Sequence, residues 1–148
     1  MACVALAAGH RLKPLLSARL RYRVVEPATS SYFYGPIYRS TATPAFSFSR
    51  HAHLYTPTEL NLPTGAVITQ LASLKSDAGT LTGSNVFSVL LANSVQTTLG
   101  ASQTWGALTT GGTQVYTSPT QQVTGVAGDY FSVMLSQPFV YTSVRCPN

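Results

Sequence analysis

The chain has 148 residues, 45% of them hydrophobic, and a formal net charge of +5, which is enough length and apolar content for one domain with a real core. Only 9% of the residues are charged, against roughly 25% in an average soluble domain, and 16 Ser and 19 Thr take their place. No apolar run approaches the ~18 residues that a membrane-crossing helix needs, so insertion is not expected, and a hydroxyl-rich, lysine-poor surface suits an extracellular β-protein better than a cytosolic enzyme.

The location of the charge decides its meaning. Arg11, Lys13, Arg19, Arg21 and Arg23 against Glu26 give residues 1–26 a net +4, and the rest of the chain carries +1. A nucleic-acid-binding domain spreads its basic face over the fold, with aromatics among the charges. Here the basicity belongs to one short segment, and nucleic acid is not an expected partner. Cys3 and Cys146 stand near opposite ends of the chain. They lack the CxxC or Cys/His spacing of a zinc site and read as unpaired thiols.

In chain order, residues 1–28 read as a basic N-terminal extension, weakly structured or adventitious. The apolar MACVALAAGH precedes its charge, the reverse of a secretory signal. Pro14 followed by LLSARL suits a first helical turn, whereas Arg19-Leu20-Arg21-Tyr22-Arg23-Val24 alternates with a strand period. Residues 29–148 read as a β-domain. SSYFYGPIY gathers Tyr32, Phe33, Tyr34 and Tyr38, and in SRHAHLYTPTEL (49–60) His51 and His53 lie two apart on what reads as a strand, with their side chains on one face.

VITQLASL (67–74), NVFSVLLAN (85–93), TQVYT (113–117) and FSVMLSQPFVY (131–141) follow as strands rich in β-formers. They are separated by LPTG, SDAGTLTGS, TTGG and TGVAGD, with no clear amphipathic helix among them. In the last strand Phe131, Val133 and Leu135 share one face, Ser132 and Ser136 the other, and Pro138 marks a strand edge or a bulge. Short strands punctuated in this way predict an all-β, antiparallel sandwich or barrel.

Candidate chemistry is sparse. His51 and His53 have a spacing that lets two imidazoles share a metal ion, but no third ligand is identifiable, and no metal site is expected. Nucleophilic hydrolysis needs an activated hydroxyl or thiol with a base and an orienting group, and no G-x-S-x-G stretch occurs. Glu26, Glu59, Asp77 and Asp129 are the only carboxylates. Each sits beside a turn or strand end, and Asp77 and Asp129 adjoin glycines where a carboxylate caps turn amides. There is no P-loop, dinucleotide fingerprint or calcium-loop pattern. The chain is expected to be non-catalytic and without a cofactor. The aromatics are the better functional material, because Tyr and Trp join a flat apolar face to a polar tip. Tyr32, Tyr34, Tyr38 and Trp105 are the candidate contacts for a ligand or partner, although Trp105 is the residue more expected to anchor the core.

From about Ser30 to Tyr141 the order of motifs resembles the secreted adhesin-type β-sandwich modules of Bacteroidetes surface proteins, which often sit beside fibronectin type III domains. The resemblance runs through SSYFYGPIY, then Tyr55-Thr56 with Glu59-Leu60, then Gly65 with Ile68-Thr69, then Asn85-Val86 with Val89. Trp105, Val115-Tyr116 and Pro138-Phe139-Val140-Tyr141 complete it. It implies a sandwich of jelly-roll type at the cell surface or outside the cell, acting in adhesion or structure, with a surface glycan or protein as partner. A carbohydrate-binding module and a self-assembling subunit of a fibre or shell are the alternatives. It also implies that His51 and His53 are sheet residues and that Glu59 is placed for structure. After Tyr141 such modules continue with a Gly-Gly-x-Asn-Leu turn and a further strand, whereas this chain runs TSVRCPN. The expectation is therefore a fragment lacking its final strand, with an open sheet edge through which copies associate.

Overall fold

The computed structural model describes residues 50–75, 80, 86–99 and 103–142, together with the backbone of residues 3–4. Strand makes up 42% of this region and helix 11%, and every strand pairing in it is antiparallel. The all-β class read from the sequence is therefore the class observed. The elements run β1 (Cys3–Val4), α1 (Pro57–Leu60), β2 (Val67–Leu74), β3 (Phe87–Leu91), β4 (Asn93–Ser94), α2 (Trp105–Thr109), β5 (Thr113–Ser118) and β6 (Tyr130–Val140). They form three two-stranded ladders, β1–β4, β2–β6 and β3–β5.

The β2–β6 ladder follows directly from a period of two. Leu71 lies opposite Val133 and Ser73 opposite Phe131, facing inward, while Ala72 lies opposite Ser132 on the outer face. Pairing continues past the strand ends: the Gly65 amide donates to the Tyr141 carbonyl (2.7 Å) and the Tyr141 amide donates to the Ala66 carbonyl (2.8 Å). The ladder is broken once. Only Thr69 separates the paired residues Ile68 and Gln70 on β2, whereas Leu135 to Pro138 separate their partners Met134 and Phe139 on β6. A proline has no amide to give a ladder and is accommodated where pairing lapses, so Pro138 falls in the bulge that the sequence indicated. Within the same bulge the Ser136 hydroxyl donates to the Val115 carbonyl at 2.9 Å, tying β6 to β5.

The β2–β6 and β3–β5 ladders contribute to one core. Leu71 (β2), Val89 and Leu91 (β3), Val115 (β5), Val133 and Phe139 (β6) and Tyr141 cluster with Tyr55 and with Leu60 of α1. Leu91, Val115 and Tyr141 are fully enclosed. Leu91 and Val115 each stabilise the fold by about 1.5–3 kcal/mol relative to an exposed side chain, whereas the enclosed Tyr141 hydroxyl has no hydrogen-bond partner among the described residues and offsets part of that ring's gain. Phe87 of β3 packs edge-on to Phe131 of β6 and tilts onto Tyr116 of β5, with ring centroids 5.7 and 6.1 Å apart. Aromatic pairs prefer these angles because they bring the ring edge to the π-face.

Two short helices interrupt what the sequence reads as loops and strands. Thr56 is the N-cap of α1: its hydroxyl accepts from the Glu59 amide, the Glu59 carboxylate accepts from the Thr56 amide at 2.7 Å, and Pro57 opens the helix. This reciprocal capping box satisfies amides that a helix start leaves orphaned, and the proline costs nothing there. Asn61 closes the turn with φ of 45°. The strand expected around His51 and His53, leading into a loop by residue 60, is thus corrected: residues 50–54 are neither strand nor helix, and Tyr55 makes an isolated bridge just ahead of the cap. The extension's Arg19–Val24 alternation lies outside the described residues. Of residues 1–28, Cys3 and Val4 pair with Ser94 and Asn93.

Candidate interaction surface

Arg50, Glu59, Lys75 and Asp129 are the charged residues of the described region, and each is engaged locally. The Arg50 guanidinium lies 5.7 Å from the centroid of the Trp105 ring, within the range where the ring quadrupole attracts a cation. Glu59 serves the α1 capping box, which is the structural placement expected of it. The Lys75 ammonium donates to the carbonyls of Thr124 (3.1 Å) and Gly125 (2.6 Å), across the loop between β5 and β6. In that loop the Asp129 carboxylate accepts from the Val126 amide at 2.8 Å, the turn-capping role read from its neighbouring glycines. Gly125 has φ of 95°, and a side chain there would run into the Asp129 carboxylate, so the close turn requires glycine. Asp77 lies outside the described residues.

Trp105 is the first residue of α2. Its helix is started by Thr104, whose hydroxyl accepts from the Ala107 amide at 3.2 Å. The ring is half-buried and stands outside the core cluster. The expectation that it anchors the core is corrected: a tryptophan at the exposed start of a five-residue helix is too far out, and Tyr55, Phe139 and Tyr141 fill the centre instead. Of the other aromatic candidates, Tyr32, Tyr34 and Tyr38 lie outside the described residues.

His51 and His53 are half-buried rather than displayed on a sheet face. The Nε2 atoms of both are enclosed, and that of His51 has no hydrogen-bond partner. His53 stacks on Tyr55 at 6.4 Å and 16° between planes. Burial lowers the pKa of each imidazole below its ordinary 6.5, and for His53 the adjacent His51 adds to the lowering. Among the described residues no three His, Cys, Asp or Glu side chains converge as a metal site would require.

Two surface features had no signal in the sequence. The first is the outer face of β2–β6, where the cross-strand pair Val67 and Val140 is 57% and 50% exposed and Met134 is 64% exposed. Gln70 and Ser132 complete that face without a charge. The second is the edge at the end of β6. There the Asn93 side chain donates to the Val140 carbonyl and accepts from the Thr142 amide, both at 3.0 Å. Those are the two bonds that a residue of an adjoining strand would make. The Tyr141 backbone between them is already paired with Gly65 and Ala66 on its other side. At these two positions a side-chain amide takes backbone groups that an adjoining strand would otherwise bond.

No helix among the described residues is long and apolar enough to cross a membrane. Comparison of the chain with protein-family models, with curated proteins and with solved structures found no match in any of the three.

Proposed function

We infer that this chain is a non-catalytic adhesion or structural module of an extracellular or cell surface, with its ladders arranged as a β-sandwich of jelly-roll type. The observation that carries this reading is the employment of the charged side chains. Arg50, Glu59, Lys75 and Asp129 each hold a ring, a helix start or a loop in place. Acid–base catalysis needs ionisable groups aimed at a shared cleft with their pKa values tuned to the task, and among the described residues the four charged side chains are spent on the scaffold. An uncharged outer face on β2–β6 and an abundance of surface hydroxyls are what remains for recognition. The order of motifs from SSYFYGPIY to PFVY supports the same reading through its resemblance to adhesin modules.

The partner in this reading is a surface glycan or a protein. The test is an array of immobilised polysaccharides and matrix proteins probed with the labelled chain. Saturable binding with a Kd of about 1–100 μM, and no change in the bound ligand over hours, is the expected result. Cleavage or modification of an arrayed ligand would contradict it. Binding confined to the polysaccharides would assign a carbohydrate-binding module within the same fold. Ordered fibres or shells of the purified chain in electron micrographs would assign an assembly subunit instead.

A further inference from the structure

We propose that the outer face of the β2–β6 ladder is an interface at which two copies of this chain pair, sheet on sheet, about a two-fold axis. An antiparallel ladder with one face on a core ordinarily turns polar side chains outward. This one does not. Val67 and Val140, paired across the strands, are 57% and 50% exposed, and Met134, paired with Gln70, is 64% exposed. Toward the other end Ala72 pairs with Ser132 and Leu74 with Tyr130. Ser73 is buried and Phe131 packs on the core, so alternation turns Leu74 and Tyr130 outward. These cross-strand pairs carry no charge, and only Gln70 and Ser132 bring an amide or an aliphatic hydroxyl.

A second copy is the occupant that this face fits. Lys75, next after Leu74, donates to the Thr124 and Gly125 carbonyls, and Asp129, just before Tyr130, accepts from the Val126 amide, so the charges bordering the face are engaged in the loop between β5 and β6. Arg50 and Lys75 balance Glu59 and Asp129 in the described region, and two such bodies approach without net repulsion. A partner with charges on its own face would bury them unpaired, and a glycan would find few groups to bond. The side-chain sizes also match their own image. A two-fold axis between the sheets and across the strands sets each pair over the pair from the other end. Met134 then rises over Ser132 of the second copy and Gln70 over Ala72, large against small, as facing layers must pack. Val67 and Val140 meet Leu74 and Tyr130. Such self-complementarity is what an isologous contact requires.

The pairing is weak by construction. A face one ladder wide falls below the ~1,200 Å² of total area that stable interfaces bury, which corresponds here to a Kd on the order of 0.3–1 mM. At loadings of about 10–50 μM the chain therefore stays monomeric. Copies held side by side on one surface meet at effective concentrations on the order of millimolar, where the contact fills. That use of it rests on the surface reading above; the pairing itself does not.

The intact chain, isotopically labelled at its methionine methyl groups, offers two reporters, Met1 and Met134. Sedimentation equilibrium and methyl NMR are run from about 20 μM to about 1 mM. The mean mass should rise and the Met134 signal should shift along one curve, both more steeply in sodium sulfate, which strengthens apolar contact. In an equal mixture of labelled and unlabelled chains, an isotope-filtered NOE should run from the Met134 methyl to protons of the other copy. Val67→Lys and Met134→Lys should each weaken association at least about tenfold, because an ammonium would be buried without a partner, and leave the urea midpoint unchanged. Association that persists in both variants, a mass that rises while Met134 stays still, or a Met134 signal unmoved by concentration overturns the pairing. So does a Met134 signal that moves only on adding a polysaccharide or matrix protein retained on the array, which gives the face to that ligand. Should the variants fail to fold, the filtered NOE in the unaltered chain decides, and its absence at the highest loading overturns the pairing.

Discussion

Thr56 and Glu59 show how a single residue's bonding redirects the chain. The run from His51 to Tyr55 alternates and is rich enough in apolar and aromatic residues to pass for a strand, yet the backbone turns into α1 at Pro57. The reason is local: Thr-Pro-Thr-Glu offers both halves of a capping box and a proline that fits the first helical position. Replacing Thr56 with Ala should cost about 0.5–2 kcal/mol, read as a shift in the urea midpoint. Thr58→Ala, on the exposed side of the same turn, should stay within about 0.5 kcal/mol. Equal effects of the two would show that the cap contributes nothing. The capping signal was present in the sequence; it was outweighed there by the strand period that precedes it. The Arg50–Trp105 contact had no such signal, because it joins residues 55 positions apart through a fold that periodicity alone does not fix.

At the scale of elements, the strands were legible because alternation maps onto the two faces of a pleated ladder. β2, β3, β5 and β6 fall within or across the stretches VITQLASL, NVFSVLLAN, TQVYT and FSVMLSQPFVY, and Pro138 announced the bulge between Met134 and Phe139. What composition could not announce is how an edge is closed. Asn93 does it with a side-chain amide, taking the Val140 carbonyl and the Thr142 amide at once. Asn93→Ala should return both groups to the edge, and exposed edges recruit strands. Sedimentation velocity should then show concentration-dependent association that the unaltered chain lacks at the same loading. Asn93→Asp should fall between the two, since a carboxylate can accept from Thr142 but has no proton for Val140. An Asn93→Ala chain that sediments as the unaltered one does would remove the edge-guarding role.

For the molecule as a whole, the one core shared by β2, β3, β5, β6 and α1 makes these elements a single cooperative unit. Leu91 is fully enclosed on β3, and Leu91→Ala should lower stability by about 2–5 kcal/mol. Circular dichroism of the strands and fluorescence of Trp105 should lose signal together at pH 7.5 in both chains. Separate midpoints would divide the α2 corner from the sheets. The proposed adhesin-like reading rests on the same shared core, with the charges of the described residues serving the scaffold and recognition assigned to the surface. The most direct measurement of that claim is the retention, under shear flow, of beads carrying the chain on surfaces coated with the ligands that the array identifies. The account predicts that beads are held in proportion to ligand density, are released by soluble ligand, and leave the coating chemically unchanged. Beads that wash off every coating as bare beads do, or a coating that is consumed beneath them, would contradict it.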